Sequence, residues 1–149
     1  MDLPKVPEGH PQVYVRPGDL DAIRAKLEQS AFASPWERVR EAAENGDPLR
    51  GGTFCRAFIY LVHGDRAQGR SAIAETLALL PSVEDARTFR MPLHWAACVY
   101  DWCYDLLSDR EKDRFIDEFK RIAGLHRPGY PASSDGCNAV VGHDTNSFS

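Results

Sequence analysis

The stretch Leu93–Leu107 (LHWAACVYDWCYDLL) decides how the rest of this chain is arranged. Apolar side chains recur along it at helical spacing on two sides, and a helix that is apolar on two sides is surrounded by other helices. One narrow stripe stays polar and consists of His94, Cys98, Asp101 and Asp105. A buried helix usually turns such a stripe toward a cleft or a hydrogen-bond network. We therefore predict a central helix that runs to Leu107.

Start and stop signals divide the remaining chain into helices. Ser34, followed by Pro35 and Glu37, predicts one helix start with a capping box, and Ser108 with Glu111 predicts another. Asp65 predicts a further helix start. The predicted stops and breaks are glycines, prolines and turn residues, at Asn45–Pro48, Gly51–Gly52, Gly64, Pro81 and Gly124. These signals predict about six helices joined by short loops, and short loops make neighbouring helices antiparallel hairpins.

The two ends of the chain differ from its helical middle. Residues 1–18 contain four prolines and predict an extended lead-in, in which Val13–Val15 lies against the body of the domain. Asp19 then predicts the N-cap of the first helix, and helical hairpins occupy residues 19–125. Residues 126–149 have no hydrophobic periodicity and predict a loop that leads to a candidate site. The whole 149-residue chain is thus predicted to be one all-α domain.

Composition limits the classes of partner. Hydrophobic residues make up 43% of the sequence and charged residues 27%, which is usual for a globular domain. The net charge of −4 gives no overall attraction to nucleic acid or to an acidic membrane, so we expect neither partner. We also expect no signal peptide and no membrane span, because no apolar run is long enough. The four cysteines form no CxxC pair, so we expect most of them to be buried small hydrophobes rather than a disulfide framework.

Three segments of the chain resemble a known family. His10–Val15, followed by Asp19–Leu20, resembles the start of mature heparinase II/III-like and alginate-lyase-like polysaccharide lyases. Ala96–Ser108 resembles the helix of that family with the pattern A-x-x-Y-D-W-x-Y-D-x-L-S. Gly142–Asn146 resembles the start of a helix where those enzymes place a substrate-facing His or Asn. The resemblance extends through essentially the whole chain.

The resemblance implies a fold and an activity. The implied fold is an (α/α) toroid followed by antiparallel β-sheet domains, and the implied reaction is lytic cleavage of an anionic, uronic-acid-containing polysaccharide such as a glycosaminoglycan or alginate. The implied location is periplasmic or secreted. Six helices are about half of a toroid, so we interpret the chain as the N-terminal part of a longer enzyme whose catalytic Tyr and a further His lie outside it.

The same resemblance limits what this chain can do alone. We expect no turnover by the isolated chain, because half of the catalytic groups would be missing. We expect no cofactor and no metal within it, although a metal in a missing domain is compatible with the family. The expected partner is an anionic polysaccharide or oligosaccharide.

Lytic cleavage of a uronic acid requires stabilisation of a carboxylate while the neighbouring proton is removed. Asn and His side chains suit this task, because each donates a hydrogen bond without needing a charge. His143 and Asn146 lie three residues apart and share a face if a helix starts there, so we predict that they are catalytic. Asn138, in the same loop, and Arg90 and His94, near the start of the central helix, are predicted to bind substrate.

The loop residues also have purely structural interpretations. Asp144 or Thr145 could cap a helix, which would leave His143 as an ordinary loop residue. Tyr130 could serve as a catalytic base, but it lies among prolines and glycines and is better explained as a packing residue.

The polar stripe and the function have alternatives as well. The stripe contains zinc-ligand residue types, but hydrogen bonds from Asp101 and Asp105 to neighbouring helix ends or loops are a simpler explanation. These two carboxylates lie one turn apart on one helix and cannot flank a glycosidic bond, which argues against a glycoside hydrolase. The main alternative function is a non-catalytic helical module that binds carbohydrate or protein.

Overall fold

The computed structural model describes residues 9–45, 47, 51–84 and 90–125, without the side chains of residues 90–92. Its helices are α1 (Leu20–Leu27), α2 (Ser30–Asn45), α3 (Gly52–His63), α4 (Arg66–Leu79), α5 (Arg90–Trp102) and α6 (Asp109–Gly124). Short 3-10 turns lie at Pro17–Asp19, Leu80–Ser82 and Tyr104–Leu106. These ranges contain no strand, so the predicted all-α class is confirmed. The toroidal arrangement stays a prediction.

Helix α3 is the centre of the packing, since it contacts α1, α2, α4 and α5. Only Gly64 and Asp65 separate it from α4, and such a short connection turns the chain back on itself as a helical hairpin. Helix α5 packs across α3 and α4, and α6 reaches the core through α4. The side chains of Phe115 and Ile122 anchor α6 and are completely buried.

Several predicted helix ends are confirmed by their capping contacts. The Ser108 hydroxyl accepts a hydrogen bond from the Glu111 amide, and the Glu111 carboxylate accepts one from the Ser108 amide at 2.9 Å, which is the predicted capping box. Asp65 caps α4 by accepting from the amides of Ala67 and Gln68. Gly64 ends α3 at a φ of 72°, a left-handed conformation that glycine adopts without a Cβ clash.

The predicted start at Ser34 is wrong. Helix α2 begins at Ser30 and continues through Pro35, so Ser34 and Glu37 lie inside the helix and do not cap it. A proline in a helix removes one backbone hydrogen bond and strains the preceding turn. The buried residues of α2, Trp36 and Ala43, both follow Pro35, whereas residues 30–35 are exposed, so burial does not account for the turn of helix before the proline.

Asp19 occupies the predicted N-cap position of α1, but its side chain makes no capping hydrogen bond there. Its carboxylate accepts a hydrogen bond from the Arg16 amide at 3.0 Å and so closes the 3-10 turn that precedes α1. Val13–Val15 is not fully extended either. Tyr14 has a φ of 61°, and the Val15 amide donates to the Val13 carbonyl at 2.8 Å, which is a tight three-residue turn. This turn leaves Tyr14 exposed while Val15 is buried against the body of the domain.

The central helix ends earlier than predicted. Helix α5 stops at Trp102 and the chain tightens into the 3-10 turn Tyr104–Leu106, a common way to end an α-helix. The turn packs Leu106 on Gly69 of α4, where an added Cβ would lie 2.5 Å from the Leu106 Cδ1 atom. Because the winding changes after Trp102, Asp105 leaves the polar stripe and is exposed.

The cysteines follow the prediction where the structure describes them. Cys98 and Cys103 are free thiols that are completely buried, and Cys55 is a half-buried free thiol. Cys137 lies outside the described residues. Within the described helices, none is long and apolar enough to cross a membrane.

Candidate functional site

The polar centre of the structure is the carboxylate of Asp101, which is only 4% exposed. Its Oδ2 atom accepts hydrogen bonds from the backbone amides of Gln12 at 2.7 Å and Val13 at 2.8 Å. Its Oδ1 atom accepts from Nδ1 of His10 at 2.5 Å. A buried charge is tolerated when several donors surround it in this way. Asp101 therefore attaches residues 9–16, which we name the lead segment, to α5.

Aromatic contacts complete the attachment of the lead segment. The His10 ring stacks on Tyr104 with a centroid distance of 3.7 Å and an angle of 20°. The Lys112 ammonium lies over the ring of Tyr104, 4.1 Å from its centroid. Trp102 donates from Nε1 to the Val13 carbonyl at 2.9 Å. The peptide bond between His10 and Pro11 is cis.

A cavity of about 240 Å³ opens beside this contact. Its walls come from the lead segment, from α1, from the end of α3 and from the turn after α5. The residues that line it and have polar side-chain atoms are His10, Arg24, Tyr60, Asp101, Trp102, Tyr104 and Asp105. The volume is below that of pockets for drug-sized ligands, so the cavity suits a group the size of one sugar ring.

The ionisable groups of the cavity differ in the interactions that they already make within the protein. Arg24 donates from Nε to the Val62 carbonyl at 2.7 Å and from Nη1 to Asp21 at 3.0 Å. Burial, followed by the negative charge of Asp105, raises the pKa of the Tyr60 phenol, so this hydroxyl stays protonated and can donate. The cavity thus offers donors from Arg24 and Tyr60 and an exposed acceptor at Asp105.

The sequence-predicted site residues fall mostly outside the described part of the chain. This applies to His143, Asn146 and Asn138, and to the side chain of Arg90, whose backbone begins α5. His94 is described: it is half-buried on α5, and its ring lies 5.2 Å from that of Tyr14.

The polar stripe of α5 does not act as one unit. Cys98 and Asp101 are buried, whereas Asp105 is exposed beyond the end of the helix. Asp101 bonds a neighbouring segment, as the simpler interpretation of the stripe predicts. Among the residues that the structure describes, no three His, Cys, Asp or Glu side chains are grouped as metal ligands.

Sequence reasoning missed His10 as a member of the site. Its partner lies 91 residues away, and no local pattern links the two. The available signal was the unpaired acid at Asp101 on an otherwise apolar helix, which required a donor from elsewhere in the chain.

Comparison of the chain with protein-family models and with curated proteins found no match.

Proposed function

We propose that this chain is the N-terminal helical part of a polysaccharide lyase that cleaves an anionic, uronic-acid-containing polysaccharide by β-elimination. One observation carries the proposal: two of the segments that resemble the family bind each other. Asp101, in the helical segment, accepts hydrogen bonds from Gln12 and Val13, in the opening segment, across 89 and 88 residues. A resemblance in two segments that also form one contact supports a common origin better than either segment alone.

The proposed chemistry assigns roles to residues of the C-terminal loop. His143 and Asn146 donate hydrogen bonds to the uronate carboxylate, which stabilises the negative charge that develops when the adjacent carbon loses its proton. The electron pair of that bond forms the new double bond, the glycosidic oxygen leaves, and an acid protonates it. Asn138, Arg90 and His94 are proposed to hold the flanking sugars. The base and the acid belong to the part of the enzyme outside this chain, and the proposed location is periplasmic or secreted.

The test is the ultraviolet absorbance of the unsaturated uronate that elimination produces. Full-length protein containing this chain is mixed with alginate, with a glycosaminoglycan and with a neutral glucan as control. We expect absorbance to rise with an acidic polymer only. His143→Ala and Asn146→Ala should each lower the rate about a hundredfold, the usual effect of losing one donor to a developing anion. His63→Ala, on an exposed residue of α3, is the matched control and should leave the rate unchanged.

The alternative is a non-catalytic helical module that binds carbohydrate. The cavity of about 240 Å³, with its arginine, tyrosine and carboxylate, favours this alternative over a protein-binding module. The two functions differ in their products. Binding of the acidic polymer without any unsaturated product would favour the module, and new reducing ends without that absorbance would indicate hydrolysis.

A further inference from the structure

The cavity beside the lead segment contains ligand-binding atoms that the fold leaves available. Asp101 holds Nδ1 of His10, and since a carboxylate only accepts hydrogen bonds, Nδ1 carries the proton. Nε2 is then the ring nitrogen that Asp101 does not hold, and the His10 side chain lines the cavity and is 29% exposed. A histidine that is oriented by a buried acid and lines a cavity is suited to contact a ligand.

Arg24 supplies a second available group. Its hydrogen bonds to Val62 and Asp21 use Nε and Nη1. Within the described ranges, its Nη2 atom donates to no protein acceptor, and 45% of the side chain is exposed. The guanidinium is therefore held in place by the end of α3 and still presents a charged donor to the cavity.

The charges of the cavity select one chemical class of ligand. Arg24 is a cation that pairs with a carboxylate, whereas the exposed carboxylate of Asp105 repels a second negative charge and accepts from hydroxyl groups. Tyr60 adds a hydroxyl that can donate or accept. A sugar residue with one carboxylate and several hydroxyls satisfies all of these groups, whereas a sugar residue with two negative charges does not.

We propose that this cavity is a binding subsite for a single uronic acid residue, with Arg24 on the sugar carboxylate and with Asp105 and Nε2 of His10 on its hydroxyls. This inference rests on the proposed function, because it names a second place where the same polymer touches the chain. The subsite is built from the lead segment, α1, α3 and the turn after α5, and it uses none of the loop residues proposed for catalysis.

The experiment is a titration of the 149-residue protein with free glucuronate, followed by nuclear magnetic resonance of its backbone amides. We expect the amide signals of Tyr60, Gly64 and Asp105 to shift with one saturable affinity, and those of exposed residues of α6 to stay in place. Glucose and acetate are the comparison ligands. Each satisfies only part of the cavity, so each should bind at least tenfold more weakly than glucuronate.

Variants assign the contact to the proposed atoms. Arg24→Gln should weaken glucuronate binding about ten- to a hundredfold, because a charge-assisted hydrogen bond is lost. Arg38→Gln, which removes the same charge from an exposed position on α2, is the matched control and should bind normally. Asp105→Asn should weaken glucose and glucuronate alike. Circular dichroism checks that each variant is folded, and the ligand-induced shifts of the unmodified protein test the site without any substitution.

Three results would overturn the inference: no shift around the cavity, equal binding of acetate and glucuronate, or unchanged binding by the folded Arg24→Gln variant. These failures are separable from failure of the proposed function. A full-length protein that releases unsaturated uronate while its cavity ignores glucuronate keeps the lyase and loses the subsite. Saturable glucuronate binding without any unsaturated product keeps the subsite and leaves a binding module.

Discussion

Asp101→Ala removes the buried acceptor that holds the lead segment on α5. Three hydrogen bonds disappear together, from the amides of Gln12 and Val13 and from the ring of His10. If the segment stays in place, two backbone amides are left buried without an acceptor. Each such amide costs about 1–3 kcal/mol, so this outcome costs about 2–6 kcal/mol.

The lead segment can respond to the Asp101→Ala substitution in a second way, which limits the loss of stability. It can detach and let water bind its amides. Detachment exposes the side chain of Val15, worth about 1.5–3 kcal/mol, and breaks the hydrogen bond from Trp102, worth about 1 kcal/mol. The protein takes the less costly route, so we expect Asp101→Ala to lower the free energy of unfolding by about 2–4 kcal/mol.

Urea unfolding followed by circular dichroism measures the loss, and amide hydrogen exchange locates it. We expect fast exchange at Val13 and Val15 in Asp101→Ala, with the amides of α3 and α4 still protected. Asp101→Asn keeps one side-chain oxygen for the two amides and should cost only about 1 kcal/mol. Asp105→Ala, on the exposed acid four residues later, is the matched control and should change stability by less than about 0.5 kcal/mol.

The reasoning is refuted if Asp101→Ala is no more destabilising than Asp105→Ala while the lead segment stays protected from exchange. That result would mean that the hydrogen bonds of Asp101 contribute nothing to the attachment of the lead segment.

Three further predictions concern the helix contacts. The hydrogen bonds from Arg70, followed by those from Ser108, lower the pKa of Glu111 from 4.5 to about 2. The contribution of ionised Glu111 to stability is therefore complete above pH 4.5 and is lost as the pH falls toward 2. Because Arg70 is half-exposed, we expect this contribution to be about 1–2 kcal/mol. Glu111→Gln should therefore lose less stability in acid than the unmodified protein. Gly69→Ala forces a methyl group into side chains less than 3 Å away and should cost about 1–3 kcal/mol in urea unfolding. Burial raises the pKa of the Cys103 thiol to about 12. Burial, followed by the negative charge of Asp101, raises the pKa of the Cys98 thiol to about 11. Both thiols should therefore react with a disulfide reagent only as fast as the protein opens.

Each of these predictions has its own control. Gly124→Ala lies where an added Cβ meets nothing within 4 Å, so it should be neutral; equal losses at Gly69 and Gly124 would contradict the packing argument. Glu37→Gln, on an exposed acid of α2, should leave the acid response of the protein intact. Immediate reaction of both buried thiols in native buffer would contradict the burial argument.

Local chemistry made most of the fold predictable. The capping box at Ser108, the cap at Asp65 and the left-handed Gly64 depend only on residues within one turn, and the structure has all of them. At Ser34 the local signal and the structure differ. Helix α2 includes a further turn before Pro35 whose residues are all exposed, so burial does not explain it.

The site was less predictable, because its partners lie far apart in the chain. Periodicity identified Asp101 as a polar residue on a buried helix, but periodicity cannot say which distant donors it meets. The meeting depends on how the tight turn at Tyr14 and the stacking of His10 on Tyr104 direct the lead segment. The end of α5 was missed for a similar reason, since the contact of Leu106 with Gly69 joins two helices.

The attachment of the lead segment has a consequence for synthesis of the protein. Residues 10–13 are synthesised 88 to 91 residues before their acceptor at Asp101. At about 5–20 residues per second, this delay is roughly 5–20 s. Until then the amides of Gln12 and Val13 lack the acceptor that they have in the folded domain. The lead segment therefore cannot attach to α5 until Asp101 has been synthesised.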